Sequence, residues 1–212
     1  MKTDHLINAI AEDAGGSLPS VGARIVVALA IGGGVAVALF TYGLGVRPDI
    51  ASALQTWRFD AKLATTLLCF LGALWATVRL ARPDTDQRRA FAAVLLPLLA
   101  LAFAIAWELV ASQAGTWSAR AIGGNSRLCV ASILAMSIAP LVALLVAMRA
   151  GAPRSPGLAG AAAGLLAGGL AATLYAIHCP DDSPLFVALW YLPVVVLIAL
   201  GGGVIGHRAL QW

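Results

Sequence analysis

Six stretches of the chain, at 24–43, 62–81, 91–110, 128–148, 157–177 and 185–206, are apolar almost without interruption. A helix needs about 20 such residues to cross the hydrocarbon core of a bilayer. Each run is long enough, and each is bounded by charge, proline or glycine. The expected fold is an all-α membrane protein, a bundle of six transmembrane helices over residues 24–212. Ahead of it lies a polar segment, residues 1–23, that would form a short N-terminal cytoplasmic helix. Composition excludes a soluble alternative: 60% of the residues are hydrophobic and 11% charged, against roughly 25% charged in soluble domains. The opening KTDHLINAIAEDA is polar and acidic, unlike a cleavable signal peptide.

Orientation follows from Lys and Arg, which concentrate on the cytoplasmic side of membrane proteins. Lys2, Arg24, Arg79, Arg82, Arg88, Arg89, Arg149, Arg154 and Arg208 fall on one side; Arg47, Arg58, Lys62, Arg120 and Arg127 fall on the other. The richer side carries both termini, which places them in the cytoplasm. The loop HCPDDSP, residues 178–184, holds no Lys or Arg and falls outside.

This topology puts two of the three cysteines at one membrane face. Cys129 lies in the first turn of the fourth span and Cys179 in the outer loop; Cys69 lies within the second span, as a small packing residue would. Arg127 and the helix N-terminus favour a thiolate at Cys129. His178 precedes Cys179, whereas Asp181 and Asp182 raise a thiol's pKa by repulsion. Three readings stay open: a structural disulfide, a redox-reversible pair, and unpaired thiols or a metal site drawing on His178, Cys179, Asp181 and Asp182, to which Cys129 could add a ligand.

The remaining polar residues near the spans point to structure. Glu108 is expected to pair at the interface with Lys62 or Arg127. Trp57, Trp75, Trp107, Trp117, Trp190 and Trp212 mostly mark span ends, and Pro97, Pro140 and Pro193 lie inside spans as kink sites. Gly160, Gly164 and Gly168 form one small-residue face, for close packing within the bundle or, less favoured, for a dimer. Gly32–Gly34 and Gly201–Gly203 read the same way. No acid lies at mid-depth, as an ion path would require. The chain reads as a detector, with no enzyme activity and no cofactor expected. The alternatives are a small transporter or exporter subunit and an outer-face thiol enzyme.

A detector needs an output, and residues 1–23 are the candidate. Thr3 or Asp4 can cap a helix on which Leu6, Ile7, Ile10 and Ala14 share one face. The helix is too short to be stable alone and suits a basic protein groove.

The terminus MKT-x-x-LI-x-x-(I/L)A-x-D, six spans and a cysteine-proline loop before the last span resemble the NrsF-type anti-sigma factor family, across essentially the whole chain. The resemblance implies a bacterial inner-membrane protein that holds an extracytoplasmic-function sigma factor inactive, without touching nucleic acid itself. It implies that Lys2, Thr3, Asp4, Leu6, Ile7, Ile10 and Asp13 contact the sigma factor. It also carries the family's periplasm-facing cysteine pair over to Cys129 and Cys179. Together with the residue reading, this gives an anti-sigma factor that releases its partner on a redox or metal signal.

Overall fold

The computed structural model describes His5, residues 20–82 and residues 87–211, with 87–91 described as backbone. Every regular element among them is helical. We number them α1 (Val21–Gly43), α2 (Ile50–Ala53), α3 (Trp57–Leu80), α4 (Gln87–Ala111), α5 (Trp117–Ile122), α6 (Ser126–Met148), α7 (Pro156–His178) and α8 (Pro184–Ala209). Six of these, all but α2 and α5, are long and apolar enough to cross a membrane. The protein is therefore a multi-pass all-α bundle, as the apolar runs require. The expected cytoplasmic helix falls outside the described residues, His5 excepted, and so do Lys2, Thr3, Asp4, Leu6, Ile7, Ile10 and Asp13.

Local chemistry sets the helix ends. Ser20 caps α1, its hydroxyl accepting from the Ala23 amide at 3.2 Å. Pro156 and Pro184 start α7 and α8, where the missing N–H costs nothing. α3 begins five residues before the apolar run, because Asp60 in its first turn complements the helix dipole. α1 ends where Gly45 adopts φ +73° and returns its amide to the Phe40 carbonyl at 2.7 Å. Pro97 and Pro140 lie inside continuous helices. Just before Pro193, α8 widens into a π turn at Val187–Tyr191, where the proline cannot supply the next helical amide.

Three loops form one end of the bundle, termed here the crown: 44–56, 112–125 and 179–183. The opposite end, the base, holds the start of α1, the ends of α3 and α8 and the loop after α6. α7 is the central helix, packed against α3, α6 and α8. Its most apolar window is 61% buried, against 22% for α4, which leans mainly on α3.

Glycine sets how closely α7 approaches α8. A Cβ on Gly202 would lie 2.5 Å from the Gly160 carbonyl oxygen, and one on Gly164 would lie 2.5 Å from the Ile198 carbonyl oxygen. The Gly160, Gly164 and Gly168 face is thus filled from within the chain, which removes the dimer reading of that stripe. Gly32 of α1 meets the Pro140 backbone of α6 in the same way, whereas Gly34 and Gly201 face open space. Buried side chains form two clusters. The base cluster includes Ile25, Leu80, Leu144, Met148 and Leu166. The crown cluster includes Phe40, Ile133, Tyr175, Phe186 and Tyr191, together with Cys129 and Cys179.

Candidate functional site

Both cysteines assigned to the outer face sit in the crown cluster, each fully buried. Cys129 comes from the first turn of α6, its amide bonded to the Asn125 carbonyl at 2.8 Å. Cys179 is the residue after α7, its amide bonded to the Tyr175 carbonyl at 3.0 Å. All three cysteines are free thiols. Cys69 is half-buried against the side of the same cluster and lines an apolar cavity of about 130 Å³ between α3, α4, α7 and α8.

The surroundings of the two thiols are unusual for a membrane core. Tyr175 and Tyr191 pack with ring centroids 5.9 Å apart, and Tyr191 meets Phe186 edge-on. The hydroxyls of both tyrosines are buried and have no nitrogen or oxygen partner; the Cys179 sulfur is the polar atom beside them. Unsatisfied buried hydroxyls are uncommon and cost stability. Burial pushes the Cys179 thiol above its ordinary pKa, and the positive charge of Lys62 only partly opposes this. At neutral pH the resting residue is therefore a thiol rather than a thiolate.

The loop that carries Cys179 is tied down on three sides. Asp181 accepts from the Gly124 amide at 3.2 Å, the Asn125 amide at 3.0 Å and the Asn125 side chain at 3.2 Å. It therefore occupies the N-terminus of α6, where free amides attract an anion. Gly123 permits this approach: its φ is +59°, and a Cβ there would lie 2.5 Å from the Phe186 ring. Asp182 accepts both oxygens' worth of bonds from Arg47, at 3.0 and 2.9 Å, and pairs with Lys62. The His178 Nδ1 lies 3.0 Å from the Gly45 carbonyl, an acceptor only, so Nδ1 carries the proton.

The structure thus brings Cys129, Cys179, His178, Asp181 and Asp182 to one place and gives the acids specific structural partners. Arg127 is exposed, and the cations behind the loop are Lys62 and Arg47. Among the described residues no group of three or more His, Cys, Asp or Glu side chains is placed to hold a metal ion. Glu108, fully buried, pairs with Arg58 at 2.8 Å and Arg120 at 2.7 Å rather than with Lys62 or Arg127. The reason is reach: α5 folds Arg120 back over the end of α4, a turn too short to show as an apolar run.

Sequence reasoning passed over Arg47, Tyr175 and Tyr191. Tyr175 had a visible signal, since it lies four residues before Cys179 and hence on the same helix face.

A family model described as NrsF, Negative regulator of sigma F, matches residues 11–212. The chain is 37% identical over 214 residues to the "Anti-sigma-F factor NrsF" of Caulobacter vibrioides, with 100% of both chains covered. It is 34% identical over 213 residues to the "Probable anti-sigma-F factor NrsF" of Azospira oryzae, again with 100% of both covered. No solved structure matches.

Proposed function

Because the chain belongs to the NrsF family of negative regulators of sigma F, we propose that it is a membrane-embedded anti-sigma factor whose crown senses a chemical signal. The partner is a sigma factor of the extracytoplasmic-function class, held at the base. The protein lies in the inner membrane of a bacterium with the base in the cytoplasm and the crown in the periplasm. The basic residues support this, nine at the base or in the N-terminal segment against five at the crown. Residues 1–23, through Lys2, Thr3, Asp4, Leu6, Ile7, Ile10 and Asp13, supply the contact with the sigma factor, as a helix that orders on its partner.

The observation that carries the sensing half is the co-burial of two free thiols, Cys129 and Cys179, in one cluster at the crown. The signal is an oxidant. Two thiols joining as a disulfide lose two electrons and two protons to it, and the periplasm favours that direction. A metal signal is less well supported, because Asp181, Asp182 and His178 are already committed to other partners. Nor does Glu108 act as a transport group, because two arginines hold it.

The test is recovery of the sigma factor with tagged protein from membranes, with and without residues 1–14, before and after oxidation. Recovery that needs the segment and is lost on oxidation is the expected result. Cys129→Ser and Cys179→Ser are expected to abolish the oxidant response equally. A full response in either variant would remove the pair as the sensor.

A further inference from the structure

Two cations converge on one backbone oxygen at the crown. The Lys62 ammonium donates to the Cys179 carbonyl at 2.7 Å, and the Arg47 guanidinium donates to the same oxygen at 3.2 Å. Both also pair with Asp182, and Arg47 continues to Asp49 at 2.7 Å. The Phe59 ring lies beside both, 5.3 Å from the Lys62 nitrogen and 5.9 Å from the Arg47 guanidinium carbon. Lys62 is 1% exposed. A lysine is rarely buried to this degree unless paired, and simple neutralisation of Asp182 does not need it, since Arg47 already binds that carboxylate through two oxygens.

The second contact distinguishes Lys62. It reads the backbone position of Cys179, and it does so from a spanning helix. Arg47 reads the same carbonyl from a loop. Lys62 lies one turn into α3, and α3 runs to Leu80 at the base, where the Ala81 carbonyl meets the backbone at Gly151: a Cβ there would lie 2.7 Å from it. α3 is also packed along the central helix α7. A new bond at the Cys179 sulfur that shifts this residue's backbone moves its carbonyl against a charge-assisted bond to α3.

We infer that Lys62 is the positioning residue of the sensor, holding Cys179 by its carbonyl oxygen and coupling the placement of that residue to α3 and thereby to the base. The inference rests on the reading of Cys129 and Cys179 as the sensing pair. It separates two events that the cysteine variants cannot separate, oxidation of the pair and transmission of that change across the membrane. Differential contacts of this kind are what a switch requires, because a signal shifts an equilibrium only through groups that differ between its two states.

The experiment uses the full chain in its host membrane, a reporter driven by the partner sigma factor, and diamide as oxidant. Diamide takes two hydrogens from two thiols and leaves a disulfide. Two readouts are taken together: reporter induction, and the state of Cys129 and Cys179 by alkylation with a mass tag. Lys62→Met keeps the apolar stem and leaves Asp182 paired with Arg47. Loss of the Lys62 charge slows thiolate formation at Cys179, so the diamide dose is raised until the pair is oxidised to the parental extent. At that matched extent Lys62→Met is expected to lose at least tenfold of its induction ratio, and Lys62→Arg to restore most of it. Parental induction in Lys62→Met with parental oxidation would overturn the inference. A parental diamide response in the Cys129→Ser, Cys179→Ser double variant would overturn the underlying reading instead. Should Lys62→Met fail to accumulate, Arg47→Met serves, because it removes the other donor and leaves α3 attached. It is expected to keep at least half of the induction, and its complete loss would place the coupling at Arg47 and overturn the assignment to Lys62.

Discussion

The α7–α8 seam and the crown solve the same problem, the joining of helices, with opposite materials. Along the seam Gly160, Gly164, Gly202 and Gly206 bring backbones into contact, and the side chains that join in, such as Val195 and Ile198 against Gly168, are apolar. At the crown the helices are joined by long polar side chains: Asp181 to the start of α6, Asp182 to α3 through Lys62, and Glu108 to Arg58 and Arg120. Backbone contact has one good geometry, because packed cores do not deform continuously. Ion pairs and hydrogen bonds can exchange partners. The seam therefore fixes the bundle, and the crown is where it can change state.

Removing the charges that hold the crown should weaken the bundle most. The double variant Arg58→Met, Arg120→Met strands Glu108, which is fully buried, and should lower stability by about 3–5 kcal/mol. A thermal melt in detergent reads this as a large fall in midpoint. Next is the seam itself. Gly202→Val places a branched side chain where even a Cβ would lie 2.5 Å from the Gly160 carbonyl oxygen, costing about 1–3 kcal/mol. Gly201→Val, which faces open space, should leave the same melt unchanged.

A smaller effect concerns the thiol. The folded-state pKa of Cys179 is raised, so its thiolate fraction keeps growing with pH beyond the point, about 8.5, where an ordinary thiol levels off. Alkylation of Cys179 should therefore rise about tenfold per pH unit through that region. A plateau near pH 8.5 would contradict the burial argument. Smallest is Tyr191→Phe. The hydroxyl it removes has no nitrogen or oxygen partner, only a weak one in the Cys179 sulfur, so stability should change by less than about 1 kcal/mol. A loss well above that would show that the hydroxyl is strongly bonded after all.

The two regions also differ in how far the sequence reveals them. The seam was legible: Gly160, Gly164 and Gly168 repeat at helical spacing, and repetition within one helix needs no knowledge of its partner. The spans were legible for the same reason, as length and hydropathy are local properties. The crown was not. Glu108 and Arg58 are 50 positions apart, and Arg47 and Asp182 are 135 apart. Nothing local selects Arg58 over Lys62 as the partner of Glu108. α2 and the turn at Ala114–Thr116 are too short to leave a periodic signature. The π turn before Pro193 adds a residue to one turn, which a fixed period of 3.6 cannot express.

The complete burial of both thiols has a kinetic consequence. A reagent in water meets neither sulfur until the crown opens, so each reaction requires a prior excursion of the loop around Cys179. At low oxidant the rate of sulfur chemistry scales with dose. At high oxidant every opening is captured, and the rate levels off at the frequency of opening. Above that ceiling a doubled dose produces no faster response, while a doubled exposure time still produces a larger one. Under the proposed sensing role, the pair registers how long a challenge lasts more faithfully than how intense it is.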